Sequence, residues 1–224
     1  EVFVGAGQSN STNSGEERLK CESDMVSTFD GRLWRIAHDP QPGCHDNSSR
    51  GSFWPAFGDE LHSRLDVPIG VAVTGHGGTR VTQWQPGGEL HNWMMARIHA
   101  LGVGGFRAVL WHQGESDVRT PSEQYKNMLA TTIRQSRVQA GWEIPWFVAC
   151  VSYRNPENRT YESTRSAQQA LWAEGIALPG PDTDTLGPDY RDRGGKGIHF
   201  SKTGLIAHGL LWADVVHDYL KTVE

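Results

Sequence analysis

Phe3-Val4-Gly5-Ala6-Gly7-Gln8-Ser9-Asn10 passes within eight residues from an apolar run into a polar turn framed by glycine. Val2 to Gly5 read as a short strand, and the turn beyond it decides how the chain is understood. A glycine-flanked turn at a strand end exposes a hydroxyl and aims backbone N–H groups at one point. A serine in such a turn is ordinarily just a turn residue, so the meaning of Ser9 depends on what the rest of the chain brings to it.

Working outward, strand patterns alternate with helix patterns. The nearly continuous apolar run 67–74 suits a strand buried on both faces. Runs 106–112, 144–153 and 176–184 read as further strands. Segment 53–65 places Phe57, Leu61 and Leu65 on one stripe, and 89–101 does the same with Leu90, Met94, Ile98 and Leu101. Helices are also expected over 122–141, ending at Gly141, over 161–175, and over 201–220 behind Ser201 as N-cap. Residues 8–52 are rich in Ser, Asn, Asp, Gly and Pro and read as a long polar stretch. The expectation is an α/β fold: one domain over 1–224, a three-layer α/β/α sandwich around a mostly parallel five-stranded sheet.

Composition narrows the function classes. The chain has 224 residues and a net charge of −5. It shows no basic stripe, so nucleic acid is not an expected partner. No apolar run approaches the roughly 20 residues that span a bilayer. Nine tryptophans read mainly as core, with a carbohydrate-facing surface as the other use. Of the three cysteines, Cys150 reads as a buried thiol, and Cys21 and Cys44 could pair if the protein is secreted. Their spacing suits no zinc site. No leader is read before the first strand, and a leader or preceding domain trimmed from the chain is the open alternative. A secreted or periplasmic setting is expected ahead of a cytoplasmic one.

In a parallel sheet the reactive groups collect beyond the carboxyl ends of the strands. There the chain offers Ser9, Gly77-Gly78, Gln113, Glu115 and Asp117, with His199 directly before the last helix. A serine hydroxyl needs a base, and histidine is the natural one near neutral pH. A carboxylate behind the imidazole fixes its tautomer. Backbone and amide donors must receive the charge that develops on the attacked carbonyl. Ser9 and His199 supply nucleophile and base, and Ser9, Gly78 and Gln113 supply donors. His76 and His112 end adjacent strands and could meet near the site, but no cluster has convincing metal-ligand spacing. No cofactor is expected.

Gly-Gln-Ser-Asn at 7–10, Gly77-Gly78-Thr79 with Trp84 and Pro86-Gly87-Gly88, Leu-Trp-His-Gln-Gly-Glu-Ser-Asp at 110–117 and Gly-Ile-His-Phe-Ser at 197–201 together resemble the SGNH-type carbohydrate esterases. The closest groups are carbohydrate esterase family 6 and the sialic-acid-specific acetylesterase-like hydrolases. The match runs nearly end to end. The resemblance implies a flavodoxin-like α/β/α sandwich and metal-free removal of O-acetyl groups from carbohydrate. It implies Ser9 as nucleophile, His199 as base, and Ser9, Gly78 and Gln113 as the oxyanion hole. An acetylated carbohydrate, of the acetylxylan or sialic-acid kind, is the expected partner. An esterase of another acyl substrate and a non-catalytic carbohydrate-binding relative are the alternatives.

One position departs from the pattern. Many SGNH hydrolases carry Asp three residues before the histidine, where this chain has Lys196. Lysine cannot accept an imidazole N–H. Glu115 is the expected orienting carboxylate, with Asp192, Asp189 or a backbone carbonyl as the other contenders.

Overall fold

The computed structural model describes residues 1–223. Its centre is a seven-stranded sheet in the order β3-β2-β4-β1-β5-β6-β7. The strands are β1 (Val2–Gly7), β2 (Val26–Phe29), β3 (Trp34–Ile36), β4 (Ile69–Val73), β5 (Ala108–His112), β6 (Trp146–Cys150) and β7 (Leu178–Asp182). All neighbours run parallel except β3, which pairs antiparallel with β2. The helices are α1 (Trp54–Leu65), α2 (Glu89–Leu101), α3 (Ser122–Ala140), α4 (Glu162–Ala173), the irregular turn α5 (Asp192–Gly195) and α6 (Lys202–Val223).

The expected five-stranded sheet is therefore two strands short. The missing pair, β2 and β3, lies within the polar stretch 8–52. These strands are four and three residues long, too short to show alternation. They form because β2 docks in register on β4, Val26 beside Ile69 and Thr28 beside Val71. β3 then closes the edge with all three residues exposed.

Strands β4, β5 and β6 are buried along their whole length on both faces, which is why they read as unbroken apolar runs. Val4, Ala72, Val109, Trp111 and Val148 pack on one side with α2, α3 and α4. Phe3, Val71, Leu110 and Phe147 pack on the other with α1 and α6. Trp54, Trp84, Trp111, Trp146 and Trp212 are fully buried, so most of the tryptophan belongs to the core. Cys21, Cys44 and Cys150 are free thiols; the pairing of Cys21 with Cys44 is not formed.

Central β1 lies between β4 and β5. The chain winds outward from it in both directions, so the carboxyl end of β1 is the switch point where such sheets form their sites. This arrangement also separates β4 from β5. His76 and His112 do not end adjacent strands: His76 pairs with His45, the Nδ1 atoms 2.7 Å apart, and His112 turns to Glu115.

Candidate active site

β1 ends at Gly7, whose φ is +127°. A Cβ there would lie 2.1 Å from the His112 carbonyl oxygen, so only glycine allows the chain to turn this close to β5. Gln8 N–H donates to that same carbonyl at 2.9 Å. The chain then enters a tight 3₁₀ turn, Ser9–Ser11, closed by Ser11 N–H to the Gln8 carbonyl and Thr12 N–H to the Ser9 carbonyl. Ser9 is 7 % exposed. Among the described residues, neither its N–H nor its hydroxyl has a protein partner.

The loop after β4 packs against this turn. Asp46 accepts the Gly77 N–H at 2.6 Å, and a Cβ on Gly77 would stand 3.5 Å from that of Ser9. The exposed Gly78 has φ +71°, and its N–H is likewise without a partner among the described residues. Two free backbone donors thus flank one serine.

Gln113 does not stand free beside them. Its side chain is fully buried. The amide nitrogen is 2.6 Å from Asp117 Oδ2, 3.1 Å from the Thr79 carbonyl and 3.3 Å from Gln8 Oε1. Tyr125 O–H donates to its Oε1 at 2.9 Å. Three acceptors compete for two hydrogens, leaving none for a substrate oxygen. By gripping the Thr79 carbonyl, Gln113 holds the residue next to Gly78.

Glu115 also differs from the expectation. Its carboxylate is fully buried and accepts the Asn10 side-chain N–H at 2.9 Å and His112 Nε2–H at 3.3 Å. Burial works against its ionised form, but the His112 imidazole and these two hydrogen bonds outweigh it, so the carboxyl sits below the usual range. No bond joins it to His199 among the described residues. The same Asn10 amide donates to the Ile198 carbonyl at 3.2 Å, so Glu115 acts at one remove: it fixes the side chain that ties the Ser9 turn to the His199 loop. In the sequence Asn10 stands only as the last residue of Gly-Gln-Ser-Asn, with no role of its own.

His199 lies on a pinched loop. Arg191 bridges Phe200, Asp192 N–H donates to the His199 carbonyl at 2.9 Å, and Ser201 N–H to that of Tyr190 at 2.9 Å. This pairing sets Asp192, 2 % exposed, behind the imidazole, with Oδ2 3.8 Å from Nδ1. The other oxygen, Oδ1, is buried without a partner. Gly197 makes the room, since a Cβ there would fall 1.6 Å from Oδ1. Asp189 forms no bond to His199 among the described residues, and Lys196 is exposed. Arg191 supports the loop from beneath. It is wedged between the rings of Tyr153 and Phe200 and donates to the Ile198, Leu186 and Thr183 carbonyls. Burial pushes its guanidinium down to about 10.

Among the described residues, no group of three or more His, Cys, Asp or Glu is placed to hold a metal ion, and no helix is long and apolar enough to cross a membrane.

The chain is similar to the probable carbohydrate esterase At4g34215 of Arabidopsis thaliana, 33% identical over 113 residues, covering 46% of this chain and 44% of that protein. The matched stretch thus spans under half the length of that relative. The crystal structure of the Arabidopsis protein superposes with a TM-score of 0.71 at 23% identity, covering 98% of this chain and 97% of the other. NanS gives 0.70 at 15% identity, covering 99% and 97%. XAC1771, a carbohydrate acetylesterase from Xanthomonas citri, gives 0.68 at 18% identity, covering 96% of this chain and 55% of the other. At these identities the likenesses concern the fold. The profile described as carbohydrate esterase, sialic acid-specific acetylesterase, matches residues 1–217, and the chain belongs to that family of ester hydrolases.

Proposed function

We propose that this protein is a serine esterase that removes O-acetyl groups from carbohydrate through an acetyl-enzyme. The observation that carries the reading is the pair of unpartnered N–H groups, that of Ser9 itself and that of Gly78 in the loop packed against its turn, at the switch point of the sheet. Donors left free in this way suit an oxyanion that forms only during reaction.

The residues take these roles. His199 keeps Nδ1 toward Asp192, so Nε2 is the base. It takes the proton from Ser9 Oγ as Oγ bonds to the acetyl carbon, and the carbonyl electrons move onto oxygen between the Ser9 and Gly78 N–H groups. When that intermediate collapses, the bond to the sugar oxygen breaks and His199 returns the proton to it. Water then attacks acetyl-Ser9 with His199 again as base, releasing acetate and the free hydroxyl of Ser9. Asp192 orients the imidazole and stabilises its charged form. Its 3.8 Å separation from Nδ1 exceeds hydrogen-bond reach, a common looseness in unliganded sites that closes in the substrate complex.

With Asp192 behind the histidine, the lysine at position 196 no longer argues for a non-catalytic relative. The test is acetate release from O-acetylated oligosaccharides, with acid-quenched enzyme digested and weighed. An acetyl group on the peptide containing Ser9 is the expected intermediate. Turnover without one, under conditions that trap acyl-enzymes, would remove the covalent mechanism.

A further inference from the structure

The amide that joins Gly77 to Gly78 has little of its own to hold it. Among the described residues, neither the Gly77 carbonyl nor the Gly78 N–H is bonded. A Cβ on Gly78 would meet nothing within 4 Å, so the space around it is open. Between two glycines an amide turns over at little steric cost. Turned over, it would present a carbonyl oxygen where the attacked carbonyl needs a donor. Its orientation therefore depends on what pins its flanks.

Beyond Gly78, Gln113 grips the Thr79 carbonyl at 3.1 Å, and the Thr79 hydroxyl donates to the His76 carbonyl at 2.8 Å. Before Gly77, His76 N–H donates to the Gly7 carbonyl at 3.0 Å. The bond nearest the free amide comes from a distant part of the chain: Asp46 Oδ2 accepts Gly77 N–H at 2.6 Å. A carboxylate accepting at this distance is the strongest hold of the set. Its other oxygen accepts Ser48 N–H at 3.0 Å and also the Ser48 hydroxyl, which fixes the carboxylate in place. His45 N–H adds a bond to the Gly75 carbonyl at 2.9 Å.

The segment that carries Asp46 is anchored in turn to the Ser9 turn. The Asn13 side chain donates to the Gln41 and Ser48 carbonyls at 2.9 and 3.2 Å and accepts Gln41 N–H at 2.6 Å. Residues 41–48 thus tie the loop of one free donor to the turn of the other. We propose that Asp46 is a positioning residue for ester hydrolysis: through Gly77 N–H it keeps the Gly77–Gly78 amide turned so that the Gly78 N–H serves the oxyanion. The proposal rests on the esterase reading for its effect on rate, but the orientation of the amide is readable without turnover.

The test compares the full chain with Asp46→Ala and Asp46→Asn. The substrates are nitrophenyl acetate and its thiono analogue, whose carbonyl sulfur fits an oxyanion hole poorly. Asp46→Ala should lower kcat on the oxygen ester by about tenfold or more with KM held within about twofold, as a misplaced oxyanion donor does. The preference for the oxygen ester over the sulfur ester should shrink in the same variant, a change that lost stability alone does not produce. Asp46→Asn keeps an oxygen for Gly77 N–H and should recover most of kcat. Without substrate, the Gly78 amide signal in NMR should be single in the parent and doubled or broadened in Asp46→Ala by the second orientation. Unchanged kcat in Asp46→Ala, a fall in kcat with the oxygen-to-sulfur preference intact, or no recovery in Asp46→Asn would overturn the role. If the parent hydrolyses no acetyl ester, the esterase reading falls and the NMR signal decides for Asp46: a second Gly78 state in Asp46→Ala upholds its hold on the amide, and a single unmoved signal overturns it.

Discussion

The Asp192 carboxylate lies 3.8 Å from Nδ1 of His199, while Glu115 spends its carboxylate on Asn10 and His112. The two acids should therefore fail in different ways. Asp192→Asn keeps the buried shape but offers the imidazole the wrong partner. It should lower kcat by several orders of magnitude, as the corresponding change does in serine proteases, with little loss of Tm. Glu115→Gln leaves His112 and Asn10 imperfectly matched in the interior and should cost about 3–5 kcal/mol of stability. Urea melts and steady-state kinetics on both variants decide it. A large kcat loss without destabilisation in Glu115→Gln would return that residue to the orienting role.

Ser9→Ala should abolish acetyl release while the fold survives, because the hydroxyl has no structural partner to lose. A fluorophosphonate should label Ser9 and no other serine, read by peptide mass. Residual activity near that of the parent would exclude Ser9 as nucleophile.

Gln113→Ala separates a clamp from an oxyanion donor. Removing the side chain strands the Thr79 carbonyl and takes one donor from buried Asp117, which keeps Val81 N–H and Thr120, while the Tyr125 hydroxyl keeps only the Gln113 backbone carbonyl. Buried polar groups left unpaired cost about 1–3 kcal/mol each. The expected result is a marked fall in Tm together with reduced kcat, since the Gly78 loop loses its hold. A loss of 10²–10³ in kcat at unchanged Tm would restore the direct role.

Much of the site was legible because its parts abut strand ends. Ser9, Gly78 and His199 follow or precede recognisable elements, and hydrophobic runs locate those elements. Asp192 was harder to place. Arg193, Gly194 and Gly195 have φ of +55°, +64° and +86°, and this curl brings residue 192 back to residue 199. Nothing in a seven-residue separation shows such a reversal. Gln113 misled for another reason: a glutamine at a strand end looks the same whether it faces substrate or Asp117, and its partners are scattered from Gln8 to Tyr125. Strands β2 and β3 escaped notice because pairing with β4, rather than their own pattern, makes them strands.

The last prediction concerns acid. The Glu115 carboxyl is held below its ordinary range by His112 and by hydrogen bonds from His112 and Asn10. The folded state therefore favours the ionised form more than the unfolded chain does. The stability this supplies is fully present above the ordinary glutamate value of about 4.3 and is lost as pH falls through the lower folded value. The groups around it, His112, Arg191 and the Asn10 amide, offer positive charge or a donor, so protonation removes an attraction and relieves no repulsion. Below pH about 4 the Ser9 turn and the His199 loop should lose their common anchor together. Urea midpoints measured between pH 7 and pH 3 should fall more steeply for the parent than for Glu115→Gln, which lacks the titrating group. Acetyl-ester hydrolysis returned to neutral pH should recover, because the change is the uptake of a proton, which neutral pH reverses, and not the breaking of a covalent bond. Parallel curves for parent and variant would show that Glu115 contributes nothing to the acid limb, and its depressed ionisation would then have no bearing on how the site is held.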